Sequence, residues 1–330
     1  MIRPGRHNSL TDVAGLTVGN AEDQAARTGV TVVLAEPQAR AAVDVRGGAP
    51  GTINTEALLP GGLIHSIDAV VLSGGSAFGL EAATGLMSWL RARGRGFGQW
   101  GPAIPIVAGA ILFDLVNGGD KDWGDSPPYR GLAMRAAEAA GTAFVLGNAG
   151  AGLGAMAGPY KGGLGTASAF DEASGITVAA LVAANPVGSP TMPGSPCFWS
   201  WHLEQDGELG RQQPPTQASG HAFATKRDIG QSTTIGVLAT DAGLDAGQLQ
   251  RLAVMGQDGY AFAIRPIHTP FDGDTLFALA TDRKALPERP DALLRLGTIA
   301  ADVVARAVAR GVYEARDLGE MTSYRTRWQR

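Results

Sequence analysis

Two short stretches of this sequence contain side chains that could carry out chemistry, and the first is a pair of hydroxyl residues. Thr233 and Thr234 open a run of β-branched and aliphatic residues that predicts a strand from Thr233 to Leu238. Threonine packs well on a pleated sheet, so β-propensity alone would explain the pair. Alternatively, the chain is cut just before a hydroxyl residue, whose freed α-amine then acts as base for its own side chain. Residues 230–241 alone do not decide between these interpretations.

The second stretch is a pair of carboxylates, Asp272 and Asp274, separated by Gly273. At the beginning of a strand, side chains at i and i+2 point to the same face, where like charges repel unless a proton or a cation lies between them. A surface turn is the simplest interpretation. A calcium loop would need further ligands at set spacings, and the sequence has none here. A third interpretation is that both carboxylates hold the ammonium or hydroxyl of an N-terminal threonine.

Other polar residues have a simple and a catalytic interpretation. Asn185 follows a predicted strand over 176–183, where it could make a turn with Pro186 or donate to an oxyanion. Lys161 lies in a glycine-rich run, where a lysine is usually solvated but could also approach a substrate oxyanion. The turn at residues 73–76 joins a strand to a helix and is a candidate anion site, although its glycines lack the spacing of a nucleotide-binding loop.

Composition excludes several classes of protein. The 27 basic and 31 acidic residues give a net charge of -4 with no run of one sign, so neither nucleic acid nor a membrane surface is an expected partner. Cys197 is the single cysteine, which indicates a reducing compartment, and no signal peptide or membrane span is apparent, so we expect a cytoplasmic protein. We also expect no cofactor and no metal, because the histidines share no spacing. They are His7, His65, His202, His221 and His268.

The elements that must position these side chains predict a packed α/β protein. The 47 glycines are spread among hydrophobic runs, which indicates tight turns and close backbone approaches. A loop rich in Pro, Gly, Ser and Gln over 189–231 is expected to leave the Ser232–Thr233 junction accessible. The other predicted elements are a hairpin of strands 28–34 and 41–45 around Pro37, a weak helix 58–66, a strand 69–72, a helix ending near Arg93, a strand plus a helix within 104–115, helices 130–140, 245–260 and 291–311, and a polar tail 316–330.

Several separated motifs, taken together, make the chain recognisable. In chain order they are Ala42-Val43-Asp44-Val45-Arg46-Gly47-Gly48, Leu72-Ser73-Gly74-Gly75-Ser76-Ala77-Phe78-Gly79-Leu80-Glu81-Ala82, Asn185-Pro186-Val187-Gly188, Thr233-Thr234-Ile235 leading to Ala239-Thr240-Asp241, and Asp272-Gly273-Asp274-Thr275-Leu276-Phe277-Ala278. In their order and spacing they resemble the L-aminopeptidase/D-amidase-esterase family, which includes β-peptidyl aminopeptidases and endo-type 6-aminohexanoate-oligomer hydrolases. The resemblance extends over roughly residues 8–311.

The resemblance implies an αββα sandwich of the self-processing aminopeptidase/ornithine acetyltransferase type. The single domain, residues 1–330, would be an inactive precursor that cuts itself between Ser232 and Thr233 into an α subunit (1–232) and a β subunit (233–330). Thr233 would be the nucleophile, positioned by Asp272 and Asp274. The family would assemble as a homo-oligomer, a tetramer of cleaved pairs.

Two further roles and two departures come with the resemblance. Asn185 matches the residue placed at the oxyanion, and Lys161 matches a lysine near the nucleophile. The nylon-oligomer hydrolases have Asn where this chain has Ser232, and Tyr where Phe113 aligns. The physical chemistry is consistent, because an α-amine with a pKa of about 7.7 to 8.0 is suited to act as a base near neutral pH.

Two other classes of function remain open at the level of sequence. An acyltransferase of related fold would also cut itself before a threonine, but would pass its acyl group to an amine faster than to water. A relative that fails to process would stay uncut and only bind a ligand. Within the hydrolase class, the sequence does not distinguish L-aminoacyl amides, β-peptides and ω-amino acid oligomers as substrates.

Overall fold

The computed structural model describes residues 1–98, 101–216 and 232–329. The strands are β1 (Ile2–Arg3), β2 (Leu16–Asp23), β3 (Thr28–Val45), β4 (Thr52–Ile53), β5 (Ile67–Ser73), β6 (Val107–Ile111), β7 (Met156–Ala157), β8 (Tyr160–Lys161), β9 (Gly163–Asp171), β10 (Ile176–Ala184), β11 (Ile235–Ala242) and β12 (Thr275–Lys284). The α-helices are α1 (Glu81–Arg91), α2 (Tyr129–Glu138), α3 (Ala246–Ala263), α4 (Ala292–Glu314) and α5 (Tyr324–Trp328).

Two sheets share the long strand β3. In the first sheet the order is β1-β9-β10-β11-β12-β3, and β11 and β12 are parallel while β10 runs antiparallel to β11. In the second sheet β3 lies between β2 and β5, and β6 and β4 follow. The first half of β3 pairs with β2 and β5, whereas its second half pairs with β12.

The hairpin predicted for the two apolar segments around Pro37 is therefore wrong. Both segments belong to one continuous strand of 18 residues, Thr28–Val45. Its pairing with β5 shifts between Leu34 and Ala39, where the strand passes from one sheet to the other. Pro37 has no N–H group to donate, and it lies where the strand changes partners, so no ladder hydrogen bond is lost there.

The buried side chains divide into three layers of core. Between the two sheets, Val33 and Leu72 of the second sheet pack with Leu181, Val237 and Phe277 of the first. Alternate residues of the first sheet face the opposite way and pack against α3 and α4. The outer face of the second sheet packs against α1 and α2. The αββα sandwich is thus confirmed, because the period-two alternation of the strands buries both faces of each sheet.

Most predicted elements are present, with boundaries shifted by a few residues. Helix α3 begins after Asp245, whose carboxylate accepts from the Gln248 N–H while the Gln248 side chain accepts from the Asp245 N–H. Three expectations are wrong. Only a short turn of 3-10 helix, Glu56–Leu58, lies near the predicted helix 58–66, the stretch 104–115 contains a strand without a helix, and the polar tail folds into α5.

The tail and the last long helix both pack against the rest of the protein. Tyr324 of α5 is buried, and its hydroxyl donates to the carbonyl oxygen of Pro196 at 2.9 Å. The apolar side of α4 packs against the first sheet and α3, although Leu294 near its beginning is exposed. In the described ranges, no helix has the length and apolarity required to cross a membrane.

Strand directions bring five chain segments to one edge of the first sheet. Ala183 of β10 lies opposite Ile235 of β11, and Thr275 of β12 lies beside the same residue. Because β10 is antiparallel to β11 while β12 is parallel, the end of β10 meets the beginnings of β11 and β12. The beginning of β9 and the end of β3 lie at this edge as well, since Gly163 pairs with Ala184 and Val45 pairs with Thr275.

Candidate active site

Thr233 lies at this edge, two residues before β11 begins. Its hydroxyl donates to the carbonyl oxygen of Ser232, 2.6 Å away. The same oxygen accepts from the N–H of Gly273 at 2.9 Å. The N–H of Thr233 donates to the main-chain oxygen of Asn185 at 3.0 Å. The Ser232–Thr233 peptide is therefore held from both sides, with the threonine hydroxyl against its own preceding carbonyl group.

Asp274 connects the segment around Thr233 to the loop before β12. Its Oδ1 accepts from the N–H of Thr234 at 2.8 Å. Its Oδ2 accepts from the N–H of His268 at 3.1 Å and lies 2.9 Å from Nδ1 of the same histidine. The side chain of Asp274 is fully buried. Two main-chain N–H groups thus donate to this carboxylate beside the ring of His268, and one of them belongs to the residue that follows Thr233.

Asp272 is the second buried carboxylate. Its Oδ1 accepts from the N–H of Val187 at 3.2 Å, and its Oδ2 accepts from the N–H and the hydroxyl of Thr269 at 2.9 and 2.6 Å. Burial, together with the negative charge of Asp274, raises the pKa of Asp272 above its ordinary value of 3.8. A surface turn is excluded for the pair, because both side chains are 0% exposed.

Asn185 follows β10 and contacts the site through its main chain and its side chain. Its Oδ1 accepts from the N–H of Met156 at 2.9 Å, and its Nδ2 donates to the carbonyl oxygen of Phe113 at 3.0 Å. Phe113, which aligns with a tyrosine of the nylon-oligomer hydrolases, therefore contacts Asn185 through its main-chain oxygen. Two hydrogen bonds thus hold the side-chain amide of Asn185 in one orientation, while its main-chain oxygen contacts Thr233.

Lys161 is also at this edge, but it is not a solvated loop residue. It is fully buried, and its ammonium donates to the carbonyl oxygens of Gly152 and Gly162 at 2.8 and 2.7 Å. Gly162 packs against Ala184, the residue before Asn185, so closely that a Cβ at this glycine would lie 2.2 Å from the Ala184 oxygen. The buried ammonium places a positive charge behind the end of β10.

A further buried carboxyl, Asp114, was not among the predicted site residues. It accepts from the hydroxyl of Thr28 at 2.6 Å and from the N–H of Gly75 at 2.8 Å. The amide that made the turn at residues 73–76 a candidate anion site is therefore used by the protein itself. Burial raises the pKa of Asp114, although hydrogen bonds and the charges of Lys121 and Lys161 oppose this. A charged residue after an apolar strand was the available signal.

The junction itself is buried, contrary to the expectation of an accessible loop. Ser232 is 0% and Thr233 is 3% exposed. Chain segments that follow β3 and β10 and precede β12 cover it, as the contacts of Asn185 and Gly273 indicate. Of the predicted loop 189–231, residues 217–231 lie outside the described residues. In the described part, Phe198 and Leu209 are buried in the core.

The structure brings all the predicted site residues to one edge of the first sheet. Thr233 contacts Asn185 directly and is linked to Asp274 through Thr234, and Ser232 pairs with Asp272 in a parallel bridge. Lys161 joins them through its neighbour Gly162. Among the residues that the structure describes, no cluster of three or more His, Cys, Asp or Glu side chains could hold a metal ion.

Known proteins with similar sequences include proteins named as aminopeptidases and as 6-aminohexanoate-oligomer endohydrolases. An uncharacterized aminopeptidase of Mycobacterium tuberculosis is 41% identical over 341 residues, covering 96% of this chain and 97% of the relative. A 6-aminohexanoate-oligomer endohydrolase of Kocuria sp. is 31% identical over 323 residues, covering 92% of this chain and 86% of the relative. These similarities support a hydrolase that acts on peptide bonds.

Solved structures share the fold. The beta-aminopeptidase of Burkholderia sp. superposes with a TM-score of 0.72 at 24% identity, covering 98% of this chain and 92% of that one. The L-aminopeptidase D-Ala-esterase/amidase of Ochrobactrum anthropi, described as a variant of the Ntn hydrolase fold, superposes with a TM-score of 0.70 at 23% identity, covering 96% and 89%. The αββα arrangement of layers is common to them.

The family assignment rests on the whole length of the chain. Peptidase family S58 matches residues 8–325, which include strands β2 to β12 and every residue of the candidate site. The resemblance recognised from the motifs is thereby confirmed. This chain belongs to peptidase family S58.

Proposed function

We propose that this chain is a precursor that cuts itself between Ser232 and Thr233, and that Thr233 then hydrolyses amide bonds. One observation carries the proposal: the Thr233 hydroxyl lies 2.6 Å from the Ser232 oxygen, which also accepts from the Gly273 N–H at 2.9 Å. A nucleophile, a carbonyl and an oxyanion donor are thus adjacent in the uncut chain. Because the junction is buried, another protease would not reach it in the folded protein.

Self-cleavage requires an acyl shift followed by hydrolysis. Thr233 Oγ attacks the carbonyl carbon of Ser232, and the negative charge that develops on the oxygen is stabilised by the Gly273 N–H. The bond between this carbon and the Thr233 nitrogen breaks, and the hydroxyl proton ends on that nitrogen. Water then hydrolyses the resulting ester, which leaves a carboxylate on Ser232 and a free hydroxyl and amine on Thr233.

In the cleaved enzyme the new α-amine becomes the base for the hydroxyl. The nitrogen of Thr233 already lies 3.0 Å from the Asn185 oxygen, so this contact holds the amine in place after the cut. The Asn185 side-chain amide, fixed by Met156 and Phe113, is the proposed oxyanion donor for the substrate. Asp274 holds the segment through Thr234, and the ammonium of Lys161 favours the neutral form of the nearby amine.

The substrate class is the amide bond of small peptides or of amino-acid oligomers. Two similar proteins, named as a beta-aminopeptidase and as a 6-aminohexanoate-oligomer endohydrolase, suggest the range. Thr233 is almost fully buried in the uncut chain, so a substrate reaches it only after the new end at Ser232 moves. We further propose a cytoplasmic homo-oligomer of cleaved pairs that needs no cofactor.

The test is the intact mass of purified variants under denaturing conditions. The natural chain should give two species, residues 1–232 and 233–330, and Thr233→Ala should give one uncut, inactive species. Thr233→Ser keeps a hydroxyl and should still be cut. Thr234→Val is the matched control, because the buried Thr234 hydroxyl has no hydrogen-bond partner among the described residues.

Two outcomes would contradict the proposal. A Thr233→Ala chain that is still cut before residue 233 would require another nucleophile. An uncut natural chain that nevertheless hydrolyses aminoacyl amides would separate the activity from processing. Loss of cleavage in Thr234→Val as well as in Thr233→Ala would indicate general damage at the edge of the sheet.

A further inference from the structure

Among the described residues, His268 is the histidine that lies beside the two buried carboxylates, and its main-chain N–H and its ring Nδ1 both face Asp274. Its main-chain N–H lies 3.1 Å and its ring Nδ1 2.9 Å from the same oxygen, Oδ2. The backbone of His268 has φ 55°, in the left-handed region that non-glycine residues seldom adopt. This conformation lets the main chain and the ring converge on one carboxylate oxygen.

The other oxygen of Asp274 leads to the nucleophile. Oδ1 accepts from the Thr234 N–H at 2.8 Å, and Thr234 is bonded to Thr233. Because two donors of His268 hold Oδ2, rotation of the carboxylate is blocked, and Oδ1 stays under Thr234. The position of the Thr233 hydroxyl on the Ser232 carbonyl thus depends on His268 through one carboxylate.

The surroundings of the ring fix which nitrogen carries hydrogen. Asp274 already accepts from two main-chain N–H groups, so its oxygens act as acceptors and Nδ1 is the donor. The remaining nitrogen, Nε2, is buried and has no hydrogen-bond partner among residues 1–98, 101–216 and 232–329. The ring of Tyr260 lies 6.5 Å away, centroid to centroid. A ring that serves only to fill space would not need its donor on Asp274.

We infer that His268 is a positioning residue for Thr233, acting through Asp274 in both self-cleavage and hydrolysis. The inference rests on the proposed function of Thr233. His268 does not touch the reacting atoms; it holds the carboxylate that holds the nucleophile segment. A hydrogen bond between a donor and a charged acceptor is strong enough for its loss to change a rate by about 10- to 100-fold.

The experiment compares His268→Asn with His268→Gln in the full chain. Asparagine tolerates the left-handed conformation and carries an amide nitrogen at the position of Nδ1, whereas the amide of glutamine is one bond farther from the backbone. We expect His268→Asn to cut itself within about threefold of the natural rate, and His268→Gln about 10- to 100-fold more slowly. The rates come from intact mass during incubation after purification.

The second measurement is the hydrolysis of a substrate by the cleaved protein of each variant. With an aminoacyl 4-nitroanilide, His268→Gln should lower kcat by about the same factor and change KM less than twofold, because the nucleophile rather than the substrate pocket is misplaced. Thermal unfolding is measured for every variant. His65→Ala is the control, because His65 is exposed and belongs to no part of this network.

The outcomes separate the two proposals. If the natural chain is neither cut nor active, the proposed function is wrong and this inference is lost with it. If the natural chain is cut but His268→Gln matches it in both rates, only the role of His268 is overturned. It is likewise overturned if Asn and Gln slow both reactions equally while lowering the unfolding temperature equally, since that is the behaviour of a packing residue.

Discussion

Gly47 bears no reactive atom, yet the geometry of the two aspartates depends on it. A Cβ at this position would lie 2.3 Å from the main-chain oxygen of Asp272 and 2.3 Å from the main-chain nitrogen of Asp274. The N–H of Gly47 donates to the main-chain oxygen of Asp274 at 3.3 Å, and the N–H of Ala49 donates to the main-chain oxygen of Asp272 at 2.8 Å. The backbone after β3 therefore sets the position of the loop that carries both carboxylates and the Gly273 N–H.

We predict that Gly47→Ala slows self-cleavage by about 100-fold, because the new methyl group displaces the Asp272–Asp274 segment by a substantial fraction of an ångström. The rate is measured by intact mass over time. Gly101→Ala is the control, since among the described residues no heavy atom lies within 4 Å of a Cβ at Gly101. Equal rates for the two variants would show that the segment adjusts without consequence.

Asp114 is the residue with the clearest expected dependence on pH. Burial raises the pKa of Asp114 in the folded protein above the ordinary 3.8, so the folded protein holds this proton more tightly than the unfolded chain does. The stability that the protonated carboxyl contributes is complete below pH 3.8 and is lost as the pH rises through the raised pKa. Asparagine cannot ionise, but it can still accept from the Gly75 N–H and donate to the Thr28 hydroxyl.

We predict that the free energy of unfolding of Asp114→Asn increases, relative to that of the parent, as the pH rises from 4 to 7. Urea unfolding at several pH values measures this difference, with the uncut Thr233→Ala chain as parent so that both proteins are single chains. A difference that is constant with pH would mean that Asp114 is ionised in the folded state at pH 4 already.

At the scale of elements, glycines bring strand β9 and helix α4 into backbone contact. A Cβ at Gly165 would lie 2.1 Å from the Ala307 oxygen and 2.3 Å from the Gly311 nitrogen. A Cβ at Gly311 would in turn lie 2.7 Å from the Gly163 oxygen. The high glycine content of the sequence is therefore partly explained by a helix that rests directly on a strand.

We predict that Gly165→Ala lowers the free energy of unfolding by about 1–3 kcal/mol, because α4 has to move away from the sheet. The comparison is made by urea unfolding in the uncut Thr233→Ala chain. Gly131→Ala in α2 is the control, since its Cβ would meet nothing closer than the Arg135 guanidinium at 3.7 Å and alanine favours a helix. A stability unchanged at Gly165 would contradict the contact.

At the scale of the whole molecule, the two fragments of the proposed cut are interleaved. The strands β11 and β12 would belong to the second fragment, and they lie between β10 and β3 of the first. Helix α4 of the second fragment packs on β9 and β10 of the first. Separation would break the middle of the first sheet and expose two of its hydrophobic faces, so the cut pair is expected to behave as one folded unit.

A buried group of charges also spans the two fragments. Arg306 of α4 donates to both oxygens of Glu208, at 2.6 and 2.9 Å, and to Oδ1 of Asn8 at 2.9 Å. Arg310 lies 3.5 Å from the same carboxylate. Arg306 is fully buried and Glu208 nearly so. One carboxylate of the first fragment thus balances two guanidinium groups of the second.

We predict that Glu208→Gln lowers the free energy of unfolding by about 3–5 kcal/mol, because it leaves buried cations without their carboxylate. Adding Arg306→Met should recover part of this loss. Urea unfolding of the uncut Thr233→Ala chain, the single variants and the double variant forms the cycle. Strictly additive effects would mean that the two side chains do not interact.

Local patterns in the sequence predicted most of the strands and helices, and its motifs gave the candidate site residues. Apolar runs predicted β5, β10 and β11, and amphipathic periods predicted α1, α3 and α4, since these signals depend on neighbouring residues. The motifs around Thr233 and Asp272–Asp274 identified the family and predicted the αββα sandwich. The roles of Thr233, Asn185 and Lys161 came from this resemblance, because each residue alone had a simpler interpretation.

The tertiary structure excluded two of the simpler interpretations, a solvated loop lysine for Lys161 and a surface turn for Asp272 and Asp274, because all three side chains are buried. Strand β3 is continuous because it pairs with strands far away in sequence. The burial of Lys161 and of the Asp114 carboxyl likewise depends on distant segments, and no local pattern encodes these contacts. The geometry at the Ser232 carbonyl depends on Gly273 and, through Asp274, on His268. Residues more than 30 positions apart meet there only because antiparallel and parallel strand pairing brings their segments to one edge of a sheet.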